Sequence, residues 1–65
     1  MGDYLLVLEV DTPVGLEQKT FPIRQSNPDQ PNDVPLRNAE RAARLYLTTN
    51  RPNRVRLVRK YIQRV

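Results

Sequence analysis

Apolar residues cluster first in Tyr4-Leu5-Leu6-Val7-Leu8-Glu9-Val10. The run is aliphatic, β-prone and too short to be assigned to a helix by period, so residues 4–10 read as a strand. Leu6 and Leu8 alternate with Leu5 and Val7, so both faces are apolar. That pattern fits a central strand, or a strand with a helix on one face and a partner on the other. Asp11-Thr12-Pro13-Val14-Gly15 reads as a turn. In Gln18–Arg24, Phe21 and Ile23 alternate with Thr20, Pro22 and Arg24, predicting a second strand with one apolar face. Pro22 has no N–H to give to a ladder, which places this strand at an edge or a bulge. With the turn across 11–17 the two strands make a hairpin.

Ser26–Pro35 holds Pro28, Pro31 and Pro35 among Asn, Asp and Gln, and Val34 is its one aliphatic residue. It reads as a surface loop or polyproline-like tether. Leu36–Asn50 then reads as a helix, with Pro35 suited to its first turn and Pro52 stopping it. Leu36, Ala39, Ala43, Tyr46 and Leu47 form an apolar stripe. Arg37, Arg41 and Arg44 form a basic one. The last segment, 54–65, fits two patterns. As a strand it turns Val55 and Leu57 inward and Arg54 and Arg56 outward, until the alternation breaks at Val58. As a helix it aligns Val55, Val58, Ile62 and Val65, with Asn53 as a cap.

At 65 residues the chain is a single small domain, 1–65. A chain of this length buries only about 60% of its unfolded surface, so its core is marginal and favours support from a partner. It has no Cys and no His, hence no disulfide, no thiolate metal site and no imidazole base or ligand. With no Gly-rich loop either, it does not read as an enzyme, and no cofactor, metal or small-molecule substrate is expected. The longest aliphatic run, Leu5–Leu8, is far short of a membrane span, and Met1-Gly2-Asp3 is not the basic start of a signal peptide. The absence of Cys fits a reducing cytoplasm.

Charge is unevenly placed. Residues 1–33 carry a net −4 and residues 34–65 a net +8, and nine of the eleven bases are Arg. Arg makes planar, bidentate contacts with carboxylate and phosphate, so the C-terminal half calls for an acidic partner. Arg37, Arg41 and Arg44 repel one another and have only Glu40 as a neighbouring acid within the helix, which an external anion would explain. If 54–65 is a helix, the chain becomes a nucleic-acid-binding candidate with two Arg-rich helices. The scattered acids Asp3, Glu9, Asp11, Glu17, Asp29 and Asp33 read as surface and turn residues, and the Asn27–Asp33 stretch lacks the Gly and Glu of a calcium loop.

The order of motifs carries one further signal. An aliphatic strand ending in Glu9-Val10 is followed by Phe21-Pro22-Ile23-Arg24-Gln25-Ser26, by Val34-Pro35 before an Arg-rich helix, and by Arg54-Val55-Arg56-Leu57-Val58. Over roughly residues 4–60 this resembles the CpcD-like phycobilisome linker domain. That domain forms the small rod-capping linker and recurs at the N-terminus of the phycobilisome-bound ferredoxin–NADP reductase. Two features depart from its pattern. Residues 48–53 replace a usual Gly-Gly, and the polar stretch 27–33 replaces a hydrophobic strand.

The resemblance implies an α+β fold in the order β-β-α-β: a small three-stranded antiparallel sheet with one amphipathic helix. The alternative is a β-hairpin with two helices. It also implies a non-catalytic linker or capping module that binds an acidic assembly of phycobiliprotein rings, at the cytoplasmic face of the thylakoid. The residues expected to carry binding are Arg24, Arg37, Arg41 and Arg44, with Arg54 and Arg56 on the last strand.

Overall fold

The computed structural model describes residues 2–26 and 33–65. Strand β1 (Gly2–Thr12) pairs with β2 (Gly15–Ser26), helix α1 (Val34–Thr49) follows, and a 3-10 turn (Arg51–Asn53) leads into β3 (Arg56–Arg64). The sheet is antiparallel in the order β2-β1-β3. This is the three-stranded, one-helix α+β fold expected. The hairpin-plus-two-helices alternative is corrected, because 56–64 is a strand hydrogen-bonded to β1.

β1 is the central strand, as its two apolar faces predict. Leu6, Leu8 and Val10 point to one side and form a core with Ile23, Ala39 and Ala43. Tyr4, Phe21, Leu36, Tyr46, Leu47 and Val55 pack around it. The expected apolar stripe of α1 is therefore the buried one. On the opposite side no element covers the sheet among the described residues, yet Val7 is 1% exposed. Its cross-strand neighbours are Thr20 and Tyr61, which shield it within the sheet surface.

The hairpin is tighter than the 11–17 turn expected: pairing continues to Thr12 and Gly15. Pro13 is fixed at negative φ, so it excludes the primed turns that need positive φ at the first corner. The demand falls instead on Gly15, at φ +122°. The Thr12 hydroxyl donates to the Gly15 carbonyl (2.8 Å) and accepts from the Val14 N–H (3.2 Å).

The proline-rich stretch 27–32 lies outside the described residues; Val34 and Pro35 belong to α1 rather than to that loop. The helix begins two residues before the expected Leu36. Asp33 caps it, its carboxylate accepting from the Leu36 N–H at 3.1 Å, and Pro35 sits in the first turn, where its missing N–H costs nothing. No helix is long and apolar enough to cross a membrane among the described residues.

The break in alternation at Val58 has a structural cause. Glu9 pairs with Arg59 but Val10 pairs with Leu57, so Val58 is the extra residue of a β-bulge. A bulge shifts the period by one and blurs the strand signature of 54–65.

Candidate functional site

Helix α1 lies over β2 and the neighbouring side of β1, and leaves β3 largely uncovered. On its β2 flank it is tied down by Tyr46, which meets Phe21 edge-to-face at 6.3 Å and the Lys19 ammonium at 5.6 Å. On the other flank the uncovered sheet leaves a groove between α1 and β3.

A cavity of about 540 Å³ opens at one end of this groove, lined by Leu47, Val55 and Leu57 with Asp11, Arg51, Arg54 and Arg56. A smaller hollow of about 80 Å³ continues it over Leu8, Ala43, Leu47 and Leu57, bordered by Glu40, Arg44 and Lys60. Leu47 and Leu57 belong to both. The groove thus has an aliphatic floor and a rim of five bases against two acids.

Local chain geometry gathers the arginines. Asn50 closes α1: its side-chain amide donates to the Tyr46 carbonyl at 2.9 Å, and its own carbonyl accepts from Asn53 (3.0 Å) and Val55 (3.4 Å). Arg54 then takes the left-handed conformation (φ 61°, ψ 31°), the one non-glycine at positive φ among the described residues. This places Arg51 and Arg54 at the end of the sheet beside Arg56. Arg56 pairs with Asp11 at 3.7 Å, an exposed contact of small energetic weight.

The expected site residues are divided by the fold. Arg54 and Arg56 meet at the cavity, although only Arg56 lies in the strand; Arg54 precedes it, which corrects its expected place on the sheet face. Arg44 borders the adjoining hollow. Arg37 and Arg41 are exposed on the same helix but line neither cavity, and none of the three helix arginines has a carboxylate within ion-pair distance among the described residues. Arg24 stands apart beside a register shift near the end of β2, lining hollows with Tyr4, Pro22 and Val65 and with Pro35 and Ala39. Sequence reasoning missed Arg51, Lys60 and the floor residues Leu47, Val55 and Leu57 as one site. The signal for Arg51 was its place just past the helix; the floor emerges only from how far α1 reaches across the sheet.

Comparison with protein-family models, with curated proteins and with solved structures finds no match for this chain.

Proposed function

We propose that this chain is a non-catalytic linker or capping module that docks onto an acidic protein assembly, and that phycobiliprotein rings of a phycobilisome are that assembly. The observation that carries the reading is the groove between α1 and β3. Five bases converge there on an aliphatic floor that the domain's own helix leaves open. A desolvated apolar floor with a charged rim is the anatomy of a protein interface. Arg in place of Lys over most of the rim suits carboxylate pairing. The motif order of the sequence supports the choice of assembly. The nucleic-acid alternative drew on a second basic helix, and those residues form the 3-10 turn and β3 instead.

The test is co-sedimentation of the purified chain with intact coloured antenna complexes in concentrated phosphate, where burial is strengthened. The chain is expected in the coloured fractions. Recovery only in colourless fractions refutes the choice of assembly. Tight binding to an oligonucleotide with a steep salt dependence replaces it with the nucleic-acid reading.

A further inference from the structure

β3 is an edge strand of nine residues whose outer backbone edge pairs with no strand among the described residues. Such an edge is a template for another strand, and proteins normally blunt it with proline, a covering element or charge. The opposite edge, β2, carries Pro22. Among the described residues β3 has no proline and no cover; its bulge at Val58 leaves the pairing of Arg59–Arg64 regular, and the strand exposes apolar surface: Leu57, Val58 and Ile62 are 39%, 57% and 40% exposed. Its charge is all of one sign, with Arg56, Arg59, Lys60 and Arg64 and no acid.

That charge selects the occupant. Two β3 strands laid edge to edge would align four bases against four with no acid between them, and like charges on facing strands repel. A second copy of the chain is therefore disfavoured at this edge, whereas an acidic strand meets bases instead of like charge. The register assigns faces. Leu57, Lys60, Ile62 and Arg64 pair with Val10, Leu8, Leu6 and Tyr4 and share the α1 side; Arg59 and Tyr61 pair with Glu9 and Val7 and share the open side, and Arg56, opposite Asp11 at the end of the sheet, also borders the cavity beside α1. On the open side the Arg59 guanidinium already lies over the Tyr61 ring, 4.5 Å from its centre, which presents a fixed cation to an incoming carboxylate.

We infer that β3 accepts an extended acidic segment of a partner protein as a fourth strand, with aliphatic side chains of that segment on the α1 side and carboxylates on the open side. This deepens the acidic-partner function proposed above and rests on it. Strand addition takes its affinity from main-chain hydrogen bonds and its specificity from alternate side chains. Here those alternate contacts are Leu57 and Ile62 on one face and Arg59 on the other.

The experiment uses the full chain, isotopically labelled, and a capped ten-residue peptide alternating Val and Glu, with a Val/Lys peptide as control. Amide exchange and chemical shifts are read by NMR. The expected result is protection of alternate β3 amides by the Val/Glu peptide alone, with binding weakened at least tenfold in the Arg59→Glu variant while the far-ultraviolet spectrum is unchanged. Peptide-induced shifts confined to Arg37, Arg41 and Arg44 on α1 overturn strand addition and leave the acidic-partner function standing. Equal effects of the two peptides overturn the charge selection. Self-association through β3 in sedimentation, without peptide, assigns the edge to a second copy. No peptide binding, with retained binding to the antenna complexes, overturns strand addition alone; loss of both overturns both.

Discussion

Arg54→Gly should make this protein more stable, although it deletes a side chain from the candidate site. The native residue sits at φ 61°, ψ 31°, where a non-glycine residue costs about 1–2 kcal/mol. Glycine removes that cost and adds about 0.5–1 kcal/mol of unfolded-state entropy. The net gain therefore lies between about 0 and 1.5 kcal/mol, a rise in Tm of up to roughly 6–12 °C for a domain of this size. Arg51→Gly is the matched control. It removes the same charge from the same cavity, so relief of repulsion among the arginines is common to both, but Arg51 lies in the 3-10 turn and has no left-handed strain to release. Its Tm should fall. Thermal unfolding followed by circular dichroism separates the two, and a Tm for Arg54→Gly that falls as far as that of Arg51→Gly refutes the strain account. Both variants should bind the acidic assembly more weakly, so Arg54→Gly gains stability while losing function, the usual sign that a strained residue is kept for its side chain.

Arg44→Glu, exposed on α1 at the border of the groove, should leave the circular dichroism spectrum and Tm within about 0.5 kcal/mol of the parent and weaken binding to the assembly at least tenfold; parent-like binding in a pull-down would exclude the helix side of the groove from the interface. Ala43→Glu instead forces a carboxylate into the core under α1, and should give an unfolded spectrum. Leu8→Ala removes a fully buried side chain at a cost of about 2–5 kcal/mol, comparable to the roughly 3–5 kcal/mol such a small core supplies, so urea titration should show little or no folded baseline. Gly15→Ala meets no atom within 4 Å but must adopt φ +122°, and should cost about 1–3 kcal/mol by the same titration; an unchanged midpoint would mean that the hairpin turn rearranges freely.

The hairpin, the helix and its buried stripe were legible because each rests on local periodicity: four aliphatic residues on two faces of β1, and Leu36, Ala39, Ala43, Tyr46 and Leu47 at helical spacing. The last strand was not, because Val58 enters a bulge and breaks the period that defines strands. Residues alone left 54–65 open, and only motif order favoured the strand. The cap at Asp33 was hidden by the prolines around it, which read as loop. For the site, sequence located the positive half of the chain but not its geometry. Arg44, Arg51, Arg54, Arg56 and Lys60 come from a helix, a turn and a strand, and they converge only because α1 is displaced toward β2. Arg24 looked equivalent in the sequence and lies at another edge of the sheet, since strand direction, not composition, sets which end a residue occupies.

The strand order β2-β1-β3 also fixes a sequence of events during synthesis. β1 is made first yet must be flanked on both edges, and its second neighbour is the last element in chain order. The hairpin can close in about 1–10 μs once β2 is out. At about 5–20 residues per second, however, several seconds separate the making of β1 from that of β3. Throughout that interval one edge of the most aliphatic segment in the chain stands bare, with the backbone groups of Leu5 to Val10 unpaired on that side. A ribosome stalled before β3 would therefore release a species with an adhesive edge rather than a merely shortened domain. The strand that carries most of the positive charge on the sheet arrives last, and its arrival ends the exposure.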